Sequence, residues 1–65
     1  MSNLAESLLN EIERNRELLE AYRAIPTGMF GAAMIDVDIK NAVNALASGD
    51  ALEMLKAYEA LKNNG

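Results

Sequence analysis

The stretch Ile25-Pro26-Thr27-Gly28-Met29-Phe30-Gly31-Ala32-Ala33 decides the fold, because it sets the chain's single proline and two of its four glycines between two long helical patterns. Pro26 has no amide to donate and pushes Ile25 out of the α region, so a helix arriving from the N-terminal side ends near Ala24. Thr27 or Gly28 restarts the chain, and the Thr27 hydroxyl can cap the next helix. That second helix opens at Met29, with the amides of 28–31 pointing outward from its N-terminus, an arrangement suited to an anion. Gly28 and Gly31 serve either close approach of a ligand or plain turn and packing geometry.

Upstream, Asn3 and Glu6 have the spacing of an N-cap with its reciprocal carboxylate, which starts a first helix over about 4–24. Leu4, Leu8, Ile12, Leu19 and Tyr22 form its apolar stripe. Asn15 interrupts that stripe, and Glu11, Asn15, Leu18 and Tyr22 line up along one edge of it. Two readings stay open for Asn15: a register-setting amide in a helix seam, or a group facing a ligand.

Downstream, the second helix spans about 29–47 and turns Ala32, Ile35, Ile39, Ala42, Val43 and Leu46 toward the core, with Asp36, Lys40 and Asn44 on a polar side. Phe30, Met34 and Val37, continued by Asn41, make a second row outside that arc. A two-helix hairpin buries one face per helix, so this row calls for the third helix, a second subunit or a ligand. Gly49 suits a left-handed C-cap, and Asp50 with Glu53 repeats the capping spacing. The third helix, about 51–62, offers Ala51, Met54, Leu55, Tyr58 and Leu61 on one face, and residues 63–65 are expected to fray. The chain reads as a single all-α domain over 1–65, a helical hairpin plus a short third helix, assembled as a homo-oligomer.

Size supports assembly. A 65-residue chain without Cys or His has neither disulfide nor a soft metal site to supplement a small core, so self-association to a dimer or tetramer is the expected remedy. The net charge of −4 argues against wrapping duplex nucleic acid, which takes a basic stripe to displace counterions. No apolar run is long enough to span a membrane, and Met1-Ser2-Asn3 lacks the basic start of a secretion signal, so a soluble protein of the cytoplasm is expected.

Enzyme chemistry is poorly supplied. Proton transfer would fall to carboxylates, Lys or Tyr, and Ser2, Ser7, Ser48 and Thr27 have no evident base beside them. No spacing demands a metal or a cofactor, and the chain is read as a non-enzyme. The central stretch is the better candidate site. Arg23 offers a planar fork to phosphate oxygens, with Arg16 further back on the first helix; Thr27 and the amides of Gly28 and Gly31 add hydrogen bonds. Tyr22 and Phe30 could stack on bases. The glycine spacing is neither a Walker loop nor a dinucleotide fingerprint.

The run from Leu18 to Ile35, with the motif Phe30-Gly31-Ala32-Ala33-Met34-Ile35, followed by Ala47-Ser48-Gly49-Asp50 and Met54-Leu55-Lys56-Ala57-Tyr58, resembles small phage-encoded helical proteins. More narrowly, it resembles the phage sponge proteins that sequester cyclic oligonucleotide signals of bacterial immunity. That resemblance implies a phage protein in the cytoplasm of a bacterial host that captures a cyclic oligonucleotide without turnover. The other readings are a module that docks on a host protein through its acidic surface or through Phe30, Met34 and Val37, and a structural accessory protein.

Overall fold

The computed structural model describes residues 3–65; Ser2, named above among candidate nucleophiles, and the start of the expected domain lie outside the described residues. Three helices, α1 (Leu4–Arg23), α2 (Met29–Ser48) and α3 (Ala51–Lys62), form an up–down–up bundle in which each helix touches the other two. The expected spans match to within a residue.

The boundaries follow from local chemistry. Asn3 accepts the Glu6 amide at 2.8 Å through its side-chain oxygen, satisfying one of the orphan donors at the start of α1. At the other end Ile25 takes an extended conformation ahead of Pro26, and a single 3₁₀ turn, Pro26–Gly28, leads the chain into α2. Thr27 does not cap α2: the helix flank is Gly28, without a side-chain bond, because the 3₁₀ turn already carries the chain into the helical path. Gly49 takes φ 71, where a Cβ would be strained, and its amide bonds the Ala45 and Leu46 carbonyls. Asp50 then accepts the Leu52 and Glu53 amides at 2.9 and 3.2 Å.

The core is made by Leu8, Ile12 and Leu19 of α1, Ala32, Ile35, Ile39, Ala42 and Ala45 of α2, and Met54, Ala57 and Leu61 of α3. Two expectations change here. Val43, assigned to the core face, is 42% exposed, and Ala45 is buried instead. On α3, Leu55 faces out while Ala57 is buried. The cause is the third helix: packing α3 beside α2 rotates the buried arc of α2 toward Ala45, an effect a hairpin-based wheel leaves out.

The residues expected to fray are bonded. Asn15 is fully buried, and its Nδ2 donates to the Glu11 carbonyl at 2.8 Å and to the Leu61 carbonyl at 3.2 Å. Its Oδ1 accepts from Asn64 Nδ2 at 3.0 Å, and the same Asn64 nitrogen reaches Asp38 Oδ2 at 3.1 Å. Arg14 donates to the Leu61 and Asn64 carbonyls, both at 2.8 Å, while its guanidinium pairs with Glu11 at 3.0 Å. A cation and an amide from α1 thus satisfy carbonyls that α3 leaves open at its C-terminal end. No side-chain polar atom is buried without a partner among the described residues.

Replacing Asn15 with Leu should therefore destabilise the fold by about 1–3 kcal/mol, the usual cost of stripping a buried carbonyl of its partner. Urea denaturation followed by circular dichroism measures this; a midpoint unchanged from the parent would mean that the α1–α3 amide network contributes nothing.

Candidate functional site

The loop end of the bundle is built by crossing α1 over the start of α2. A Cβ placed on Gly31 would come within 2.6 and 2.7 Å of two Tyr22 ring carbons, so the ring lies directly on the α2 backbone. A Cβ on Gly28 would collide with the Tyr22 carbonyl oxygen. Both glycines are thus positions of close approach between helices, the packing alternative left open by the sequence. The Tyr22 hydroxyl donates to the Gly65 main-chain oxygen at 3.1 Å, so this side chain is held at ring and hydroxyl alike. Tyr22, Gly31, Met34, Ile35 and residues 63–65 line a shallow cleft of about 260 Å³.

The structure packs Tyr22 against Gly28 and Gly31, leaves Arg23, Thr27 and Phe30 exposed at the same end, and places Asn15 in the interior. Asn15 lies inside the bundle with both amide atoms bonded within the chain. The Gly28 amide donates to the Ile25 carbonyl at 2.9 Å. Arg23 and Thr27 are exposed, and Arg23 makes no ion pair among the described residues. Arg16 is not at the loop: it borders a groove with Asp36, Ile39, Lys40, Val43 and Asn44, midway along the α1–α2 contact. No group of His, Cys, Asp or Glu among the described residues is clustered to hold a metal ion.

The second row of α2 stays outside the core. Phe30 is 81% exposed, Met34 51% and Val37 52%, and Asn41 is exposed beyond them. The reason is angular, with length second: the row lies across α2 from Ala32, Ile35, Ile39 and Ala42, and Asn41, Asn44 and Ser48 are exposed even where α3 runs alongside. The 20 residues of α2 run for about 30 Å and the 12 of α3 for about 18 Å. Since α3 packs back from the Gly49 turn, its end comes level with Asp38, where Asn64 bonds it, and the N-terminal half of α2 extends past it.

Sequence reasoning stopped this row at Asn41. In the structure Asn41, Asn44 and Ser48 border a groove of about 530 Å³ between α2 and α3, walled on the far side by Glu53 and Lys56 and floored by Ala45, Ala57 and Ala60. The signal was present in the spacing, because Asn44 and Ser48 continue the alternation of four and three residues begun at Phe30. Arg14 was also missed; its tertiary carbonyl contacts depend on where α3 ends, which no local pattern encodes.

No family model, curated protein or solved structure matches this chain.

Gly31→Ala tests the ring contact. It should destabilise the fold by about 1–3 kcal/mol through overpacking against Tyr22. In a Tyr22→Ala background the same change should be neutral or stabilising, since alanine exceeds glycine in a helix by about 1 kcal/mol. Equal effects in both backgrounds, by thermal or urea unfolding, would remove Tyr22 as the reason for glycine.

Proposed function

We propose that this chain is a non-catalytic binding module that works by stoichiometric capture of a protein through the outer face of α2. The observation that carries the reading is Phe30: a large aromatic 81% exposed, flanked along the same helix by the half-exposed Met34 and Val37. Isolated exposed hydrophobics are ordinary, but an apolar row headed by an exposed aromatic has the make-up of an interface anchor. Catalysis draws no comparable support: Glu11, Asp36 and Glu53 pair with helix neighbours, Asp36 with Lys40 at 2.9 Å, and no group of three or more acidic side chains among the described residues is gathered to hold a metal ion. No helix among the described residues is long and apolar enough to cross a membrane.

A photo-crosslinking residue in place of Phe30, introduced into the chain as expressed in a bacterial host, should give one discrete protein adduct. The same residue in place of Glu17 on α1 should give none. Diffuse labelling from both positions, or none from either, would contradict the reading.

A second reading is supported by Arg23, exposed and without an ion pair among the described residues one turn ahead of the loop that leads to Phe30. On this reading the loop end, with Arg23, Thr27 and Phe30, takes up a cyclic oligonucleotide and the chain acts as a phage sponge in the bacterial cytoplasm. Calorimetry against cyclic di- and trinucleotides should then give a Kd of about 1 µM or tighter, near −8 kcal/mol, weakened at least tenfold by Arg23→Ala. Silent titrations at tens of micromolar would eliminate it.

A further inference from the structure

We infer that the protein captured by this face is a second copy of the chain, its α2 lying parallel to the first along the row Phe30, Met34, Val37, Asn41, Asn44 and Ser48. The inference rests on the reading of the outer face of α2 as the working surface, and it names the occupant.

Four observations lead to it. The first is spacing. The six residues are separated by 4, 3, 4, 3 and 4 positions, close to the helical repeat, so they form one straight stripe along α2. The buried face of the same helix, Ala32, Ile35, Ile39 and Ala42, alternates in the same way, so the spacing establishes that the six residues share one face, and that face lies outside the core.

The second is charge. The chain has 6 basic and 10 acidic residues, 16 in all, and α2 holds only Asp36, Asp38 and Lys40 of them. Asp36 is paired with Lys40 at 2.9 Å, and Asp38 takes the Asn64 amide at 3.1 Å. None of the three belongs to the row. A chain of net charge −4 repels its own copies over most of its surface, and the outward side of α1, with Glu6, Glu13, Glu17 and Glu20, would meet itself with like charges. The α2 row is the face that can be laid against itself with no such contact, the condition a two-fold interface imposes.

The third is the order of residues along the row. Its N-terminal half is apolar and its C-terminal half carries amides and a hydroxyl. Full overlap in the parallel sense sets Phe30, Met34 and Val37 against their equivalents and Asn41 against Asn41. Full overlap in the antiparallel sense would set Phe30 against Ser48 and Met34 against Asn44. Parallel pairing is therefore the arrangement that keeps apolar groups together and lets the seam amides bond each other, with Asn41 fixing the register.

The fourth is area. Phe30, Met34 and Val37 are each at least half exposed and leave on the order of 300 Å² of apolar surface, so two copies, with the exposed Asn41, Asn44 and Ser48 of the same face included, approach the roughly 1,000 Å² of a specific interface.

Sedimentation equilibrium at micromolar concentration should give twice the 7.1 kDa chain mass. Phe30→Glu and, separately, Met34→Lys should return it to the single-chain mass, while Leu9→Glu on α1 should not. The chain has no cysteine, so Asn41→Cys provides a readout independent of these variants' folding. Mild oxidation should convert it to a disulfide-linked dimer, because parallel pairing brings the two Cβ atoms within bridging reach, and Glu17→Cys should stay reduced under the same conditions. A single-chain mass for the parent protein would overturn self-pairing. If the residue-30 crosslinker then trapped a different protein, the binding face would stand and only its occupant would change; if it trapped nothing, both would fall. A parent dimer in which Asn41→Cys failed to link would overturn the parallel seam.

Discussion

The buried amide of Asn15 ties α1 to the C-terminal end of α3, and the placement of the third helix depends on that tie. The turn at Gly49 and Asp50 is so short that α3 must start against the end of α2 and run back along it. Where α3 stops is then set by the polar knot that gathers Asn64, Asp38 and the part-exposed Arg14 around the buried Asn15. Burial of an amide is costly unless every atom is bonded, and here each is, so the knot specifies one position of α3 against α1. Phe30, Met34 and Val37 stay half-exposed or more because they lie on the side of α2 turned away from Ala32, Ile35 and Ile39.

The loop end is rigid for a related reason. The Tyr22 ring rests on Gly31, and the Tyr22 carbonyl crowds Gly28, so the two helices approach where side chains are absent. Sequence features that suggest a phosphate cradle, glycines beside a helix start with an aromatic nearby, are in this fold the requirements of a tight helix crossing. The groups left outward at that end are Phe30, Arg23 and Thr27, a surface more than a cavity.

Much of the fold was legible in the sequence, and the limits have physical causes. Helix boundaries were readable because caps and breakers act locally: Asn3, Pro26, Gly49 and Asp50 each do in the structure what their chemistry dictates in isolation. The exposed row of α2 was readable because periodicity is a property of one helix. Val43, Ala45 and Leu55 were misplaced because their burial depends on the direction from which α3 packs. The bonding of residues 63–65 could not be foreseen, since Asn64 finds Asn15 and Asp38 at separations of 49 and 26 residues. For the candidate site, the exposure of Phe30, Met34 and Val37 was legible, whereas the contact of Gly31 with Tyr22 rests on an interhelical distance that sequence does not carry.

The central claim is that the Phe30 face is covered by a second copy. The chain contains no tryptophan, so Phe30→Trp reports on that face alone. Its emission should lie to the blue in concentrated solution and move to the red on dilution, along one dissociation curve that matches the sedimentation mass. Red, water-exposed emission at every concentration would contradict the account.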